Sequence, residues 1–158
     1  MKQKTLSNYL KGIILSMAII GLIIYFKIFP SILTEVLTEF NLLKQYNIWS
    51  IIILISSIPC FLVLVCGWFI ATNIGIDQSF SKENANYLKI ITILTLIDTI
   101  YFFIANVVLY IYHYSSPIIF TISLIIAFAG ITIAIISACL SHLVMNAYEL
   151  KIQSDLTI

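Results

Sequence analysis

Arginine is absent from this chain of 158 residues. Its permanent positive charges are lysines alone, and they are scattered. Direct nucleic-acid binding needs a basic patch, so no direct nucleic-acid contact is expected. Charge of either sign is scarce: Asp, Glu, Lys and Arg together make 9% of the residues, against about 25% in a soluble domain. So little charge cannot cover a water-exposed surface. Cysteine is nearly missing too. Cys60, Cys66 and Cys139 all lie in apolar stretches, odd in number and without a CxxC pair. Each reads as a small buried hydrophobe. Catalytic patterns are also lacking: no Ser-His-Asp arrangement, paired carboxylates, HExxH or phosphate loop occurs. The expectation is a protein that is not an enzyme and uses neither metal nor cofactor.

What the chain does have is hydrophobicity, at 61% of residues and a mean hydropathy of +1.10. The fold class that follows is an all-α integral membrane protein whose first partner is the lipid bilayer. The pattern predicts a single domain over residues 1–158, a four-transmembrane-helix bundle. Spans are expected at about residues 11–29, 48–73, 86–112 and 117–147, each with the roughly 18 apolar residues that crossing requires.

Lys2, Lys4 and Lys11 precede the first span, which ends in Phe26-Lys27-Ile28-Phe29-Pro30 without a small-residue cleavage pattern. It reads as an uncleaved helix that Pro30 terminates. In Ser31–Tyr46, Ile32, Leu33, Val36, Leu37, Phe40 and Leu43 recur near the helical period, with Thr34, Glu35, Thr38, Asn41 and Gln45 opposite. That predicts a short amphipathic outer helix between spans one and two, lying on the membrane or capping the bundle. Trp49 and Trp68 sit near the ends of span two as interfacial anchors would, and Pro59 predicts a kink within it. The longest polar run, Asp77–Lys89, separates the two apolar halves. Ser81 there suits an N-cap, with Glu83 in the first turn of span three. The short turn His113–Ser116 makes spans three and four a hairpin, and Pro117 fits the first turn of the last helix. That helix meets no charge before Glu149 and should emerge into water as helix through about Tyr148 or further. With both termini inside, six lysines lie on the inner side and two outside, so both termini are expected in the cytoplasm.

Asp98 is the one acidic residue within a span, with Thr92, Thr95, Thr99 and Asn106 on its helix. A midplane carboxyl costs on the order of 3 kcal/mol on insertion scales, so Asp98 should face the bundle. Two readings stay open: a proton, ion or ligand site, or a polar clamp bonded to Ser56, Ser57 or Thr132. Span four carries small residues at Ser123, Ala127, Gly130, Ala134, Ala138 and Ser141 on one face. Such a stripe lets two backbones approach closely, whether the neighbour is a helix of this chain or of a second copy in a homo-oligomer. His142, alone near the end of span four, reads as an interfacial side chain.

Phe80-Ser81-Lys82-Glu83-Asn84, followed by Leu88-Lys89, resembles the "FS-x-E-N…LK" segment of the bacterial membrane family DUF2975. The ending, with Asp155-Leu156-Thr157, is similar to that family's "L-K-x-E-x-DLT" tail. Gln153-Ser154 departs from it where an acidic pair is usual. The resemblance implies four spans and no established activity. It also implies frequent encoding beside a small helix-turn-helix transcription regulator, and hence a membrane tether or sensor for such a cytoplasmic partner. Two functions are therefore carried forward. One is binding of a cytoplasmic regulator. The other is a small transport, resistance or peptide-immunity role that uses Asp98.

Overall fold

The computed structural model describes residues 3–156. Helix α1 (Gln3–Ile23), a π-helical turn (Ile24–Ile28) and α2 (Phe29–Glu39) follow one another without a break. A single 3-10 turn (Leu43–Gln45) leads into α3 (Tyr46–Gly75), and α4 (Lys82–Ile111) and α5 (Pro117–Leu156) complete the chain. No strand occurs among the described residues. Four helical rods are long and apolar enough to cross a membrane. The fold is an all-α, multi-pass, four-helix membrane bundle.

Pro30 does not end the first rod, contrary to the sequence expectation. A proline has no N–H to donate, and its ring collides with the carbonyl four residues back in a regular helix. The turn just before it is widened: the Phe29 N–H donates to the Ile24 carbonyl, a π-type bond. The wider turn takes up the misfit, and the helix continues through Pro30 to Glu39. The short helix expected between spans one and two exists, but as the continuation of the first rod. The whole rod is 37 residues, roughly 55 Å at the α-helical rise. Helix α3 likewise continues as helix on both sides of Pro59.

Three helices stop by one device. Asn41, Asp77 and His113 have φ of 56°, 62° and 59°. The next N–H in each case reaches back five residues: Leu42 to Leu37, Gln78 to Asn73, Tyr114 to Leu109. These are Schellman-type ends with a left-handed residue just past the helix. Asn, Asp and His are the non-glycine types that tolerate this region best.

The helix backbones approach one another in a row, α1 on α3, α3 on α4 and α4 on α5. Among the described residues α1 and α5 make no such close approach, so the bundle is open between its first and last members. The α4–α5 pair is the most extensive. On α5 the buried face runs Ser123, Ala127, Ala134 and Ser137, with Gly130 and Ser141 half-buried between and beyond them. These positions alternate steps of four and three, the spacing of a left-handed helix pair. Ala138, expected on this face, is exposed, and Ser137 takes its place. A Cβ at Gly130 would collide with the Thr99 hydroxyl, so glycine is what lets the Thr99 side chain seat against α5.

One end of the bundle is a core of Leu33, Leu37, Trp49, Ile53 and Leu109, which seats α2 on α3 and α4. Trp49 is not an interfacial anchor: its indole is buried and Nε1 donates to the Tyr114 carbonyl at 3.2 Å. Trp68 does stay exposed, with Lys11 Nζ 5.4 Å above its ring. At the opposite end, Ser7 Oγ donates to the Ala71 carbonyl at 2.6 Å, Ser79 Oγ to Gln3 Oε1 at 3.1 Å, and Ser141 Oγ to the Ala85 carbonyl at 2.7 Å. The start of α1, the loop 76–81 and the projecting part of α5 therefore share one end, called the tail end below.

Candidate functional site

Two places in this fold gather polar chemistry, one at mid-depth and one at the tail end. The first centres on Asp98. It lies sixteen residues into a 30-residue helix, so about 24 Å from the start of α4 at the helical rise. That is near the helix middle, in the depth range of the hydrocarbon layer. Asp98 is half-buried. Its Oδ1 is shielded and accepts no hydrogen bond, while the Ser56 hydroxyl faces the carboxyl group. Around them is a cleft of about 300 Å³. Tyr25 and Phe29 line it from the first rod, Ser56 and Cys60 from α3, Asp98 and Phe102 from α4, and the stretch 126–133 from α5. The cleft exists because the first rod and α5 stay apart. The π turn also matters: Tyr25 lies within it and Phe29 directly follows, their rings stacked at 6.4 Å. Tyr25 Oη stands 3.5 Å from Cys60 Sγ.

The residues grouped with Asp98 by sequence divide. Thr92, Thr95 and Thr99 each donate to the carbonyl four residues back, on Leu88, Ile91 and Thr95, at 3.0, 2.8 and 2.7 Å. They satisfy their own helix, although Thr95 and Thr99 also line the cleft. Asn106 is a separate feature. Its Nδ2 donates to the Phe102 carbonyl at 2.8 Å, and its Oδ1 accepts from Ser123 Oγ at 2.6 Å. It is 1% exposed, so it ties α4 to α5 and does not share a site with Asp98. Ser57 and Thr132 donate to the Leu54 and Phe128 carbonyls. Of the three hydroxyls named as clamps, Ser56 alone faces Asp98. Ala127 and Gly130 both pack on α4 and border the cleft, while Ala134 is buried further along the stripe. Cys66 is buried, but Cys60 and Cys139 are exposed. Nothing in the residue pattern marks Tyr25 or Phe29 as site residues, because their placement depends on the π turn.

The second place is the tail end. Ser81 caps α4, its Oγ accepting the Asn84 N–H at 3.2 Å. Asn84, 2% exposed, pins the loop: Nδ2 donates to the Gln78 and Ser79 carbonyls at 3.1 and 3.0 Å, and Oδ1 accepts from Asn73 Nδ2 at 2.8 Å. Phe80 therefore stands 59% exposed on a loop held rigid from beneath. Helix α5 is 40 residues, roughly 60 Å, twice the hydrocarbon thickness of about 30 Å. Its projecting part passes this loop. Between them lies a groove of about 340 Å³ bordered by Phe80, Ser81, Glu83, Tyr148, Lys151 and Ile152. Glu83 and Lys151 supply one charge of each sign. Asp155 and Leu156 fall at the end of α5, where their side chains lie outside the described residues, as does all of Thr157. No group of three or more His, Cys, Asp or Glu is placed to hold a metal among the described residues.

The model of the family described as "Protein of unknown function (DUF2975)" matches residues 33–158. The matched stretch runs from within α2 to the end of the chain and includes both the Asp98 helix and the tail-end groove. No curated protein and no solved structure matches the chain.

Proposed function

The chain belongs to the DUF2975 family, which has no known function, and from that premise we propose that it is a bacterial membrane anchor whose tail end docks a cytoplasmic protein. The observation that carries this reading is the groove between the pinned loop and the projecting α5. Phe80 is held out by a buried asparagine whose amide is fully bonded, an arrangement that spends polar groups to present an aromatic side chain to water. Tyr148 and Ile152 extend the apolar strip, and Glu83 and Lys151 border it. An aromatic anchor in a preformed groove with a charged rim is what a protein partner uses. The lysine count supports a cytoplasmic position for this end. The partner the resemblance favours is a small helix-turn-helix transcription regulator encoded beside the gene. Held at the membrane, such a regulator is kept from DNA, so the anchor acts on transcription without touching nucleic acid.

The test is co-expression with the neighbouring regulator, followed by membrane isolation. The full chain is expected to retain the regulator, and a chain lacking Lys151–Ile158 to insert normally but lose it. Equal retention by the truncated chain removes the tail from the surface. No retention by the full chain removes the tether.

A further inference from the structure

The mid-depth cleft is independent of the tail-end groove and is chemically incomplete. It has an acid without a base. Among the described residues no lysine pairs with Asp98; the Ser56 hydroxyl faces its carboxyl group, but its Oδ1 is a shielded acceptor without a hydrogen bond. Lys11, on the first rod, is engaged over the Trp68 ring. The walls are otherwise mostly aromatic and aliphatic, with the rings of Tyr25, Phe29 and Phe102 and the side chains of Ile126, Ala129 and Ile133. We propose that the Asp98 cleft binds a lipophilic amine, an organic ammonium group carried on a small apolar body.

Each part of that description answers a feature of the cleft. The ammonium supplies the donor that Oδ1 lacks and the charge opposite to a carboxylate in a low-dielectric site. Aromatic rings beside a single acid favour an organic cation, because ring faces attract positive charge while shedding little hydration. A bare metal ion fits poorly. Magnesium or calcium takes six or more oxygen ligands, and the side chains lining the cleft offer one carboxylate, Asp98, beside neutral hydroxyls, with no second charged ligand. A volume of about 300 Å³ sits at the small end of ligand pockets, enough for a body of about one ring. The open side between the first rod and α5 leads from lipid, so the ligand arrives dissolved in the bilayer. A phospholipid headgroup is the wrong source, since headgroups lie about 15 Å from the midplane and Asp98 is near the helix middle.

The experiment uses the full chain in phosphatidylcholine nanodiscs. The probes are phenylbutylamine and its uncharged counterpart phenylbutanol, followed by saturation-transfer NMR against empty nanodiscs. The amine is expected to bind saturably and the alcohol far more weakly. Asp98→Asn, which keeps shape and hydrogen bonding but not charge, should weaken the amine by about tenfold or more. Ala129→Phe adds bulk to the cleft from an exposed position of α5, and should abolish amine binding even if Asp98→Asn folds poorly. The proposal is overturned if the unaltered chain shows no saturable amine binding. It is equally overturned if a folded Asp98→Asn or Ala129→Phe chain binds the amine as well as the parent, or if the alcohol binds as tightly as the amine.

Discussion

Gly130 is where the packing of α4 on α5 can be tested by a change of sign. Gly130→Ala puts a methyl group where the Thr99 hydroxyl already stands, and 3.3 Å from the Thr99 Cβ. Thr99 is 8% exposed, and its hydroxyl is bonded to the Thr95 carbonyl at 2.7 Å. It can turn away only by losing that bond, at about 1 kcal/mol; otherwise the two helices must separate. Forcing extra volume into a packed contact costs about 1–3 kcal/mol. Against this, alanine is favoured over glycine within a helix by about 1 kcal/mol. The net expectation is a loss of up to about 2 kcal/mol. In a Thr99→Ala background the hydroxyl is gone and only the Cβ contact remains. There Gly130→Ala should be neutral or stabilising by up to about 1 kcal/mol. The coupling between the two changes should therefore exceed about 1 kcal/mol. Unfolding by dodecyl sulfate in mixed micelles, followed by circular dichroism, measures all four chains. If Gly130→Ala has the same effect in both backgrounds, or stabilises the parent, the close approach of α4 and α5 at this point is refuted.

Asn84→Ala leaves the Gln78 and Ser79 carbonyls and the Asn73 amide without their partner. It should destabilise the chain by about 2–4 kcal/mol and speed hydrogen exchange in the loop 76–81; unchanged exchange would count against the pinning. Ser123→Ala removes the donor to Asn106 Oδ1 and should cost about 0.6–1.7 kcal/mol, the range of hydrogen bonds between membrane helices, in the same unfolding assay. His113→Gly relieves a left-handed residue and should stabilise the α4–α5 hairpin by about 1 kcal/mol, read as a raised midpoint without change in helix content.

The layout of the chain was legible in its sequence because the bilayer demands it. Runs of apolar residues long enough to span can hardly be read otherwise, and Ser81 and Pro117 mark helix starts through local chemistry that needs no tertiary context. Three things were not legible, for separate reasons. Pro30 reads as a stop, but the misfit of a proline is absorbed by a widened turn that no residue type announces. That same turn is what Tyr25 and Phe29 owe their place to, so the first rod's share of the Asp98 cleft was hidden with it. Ala138 and Ser137 are both small and adjacent, and residue size alone cannot choose between them; the pairing with α4 at steps of four and three chooses Ser137. Trp49 reads as an interfacial anchor because most membrane tryptophans are, whereas here the hairpin turn folds over it and takes its N–H. Asp98 was recognisable as a lone intramembrane acid, but the threonines near it serve their own helix, which only the hydrogen bonds reveal.

The claim that the tail end is a docking surface is tested most directly by photo-crosslinking from Phe80. A benzoylphenylalanine at position 80, on the pinned loop, is irradiated in cells making the neighbouring regulator. A second chain carries the same group at Thr38, at the opposite end of the bundle. The account predicts a crosslink to the regulator from position 80 that Lys151–Ile158 deletion abolishes, and none from position 38. No crosslink from position 80, or an equal one from position 38, would contradict it.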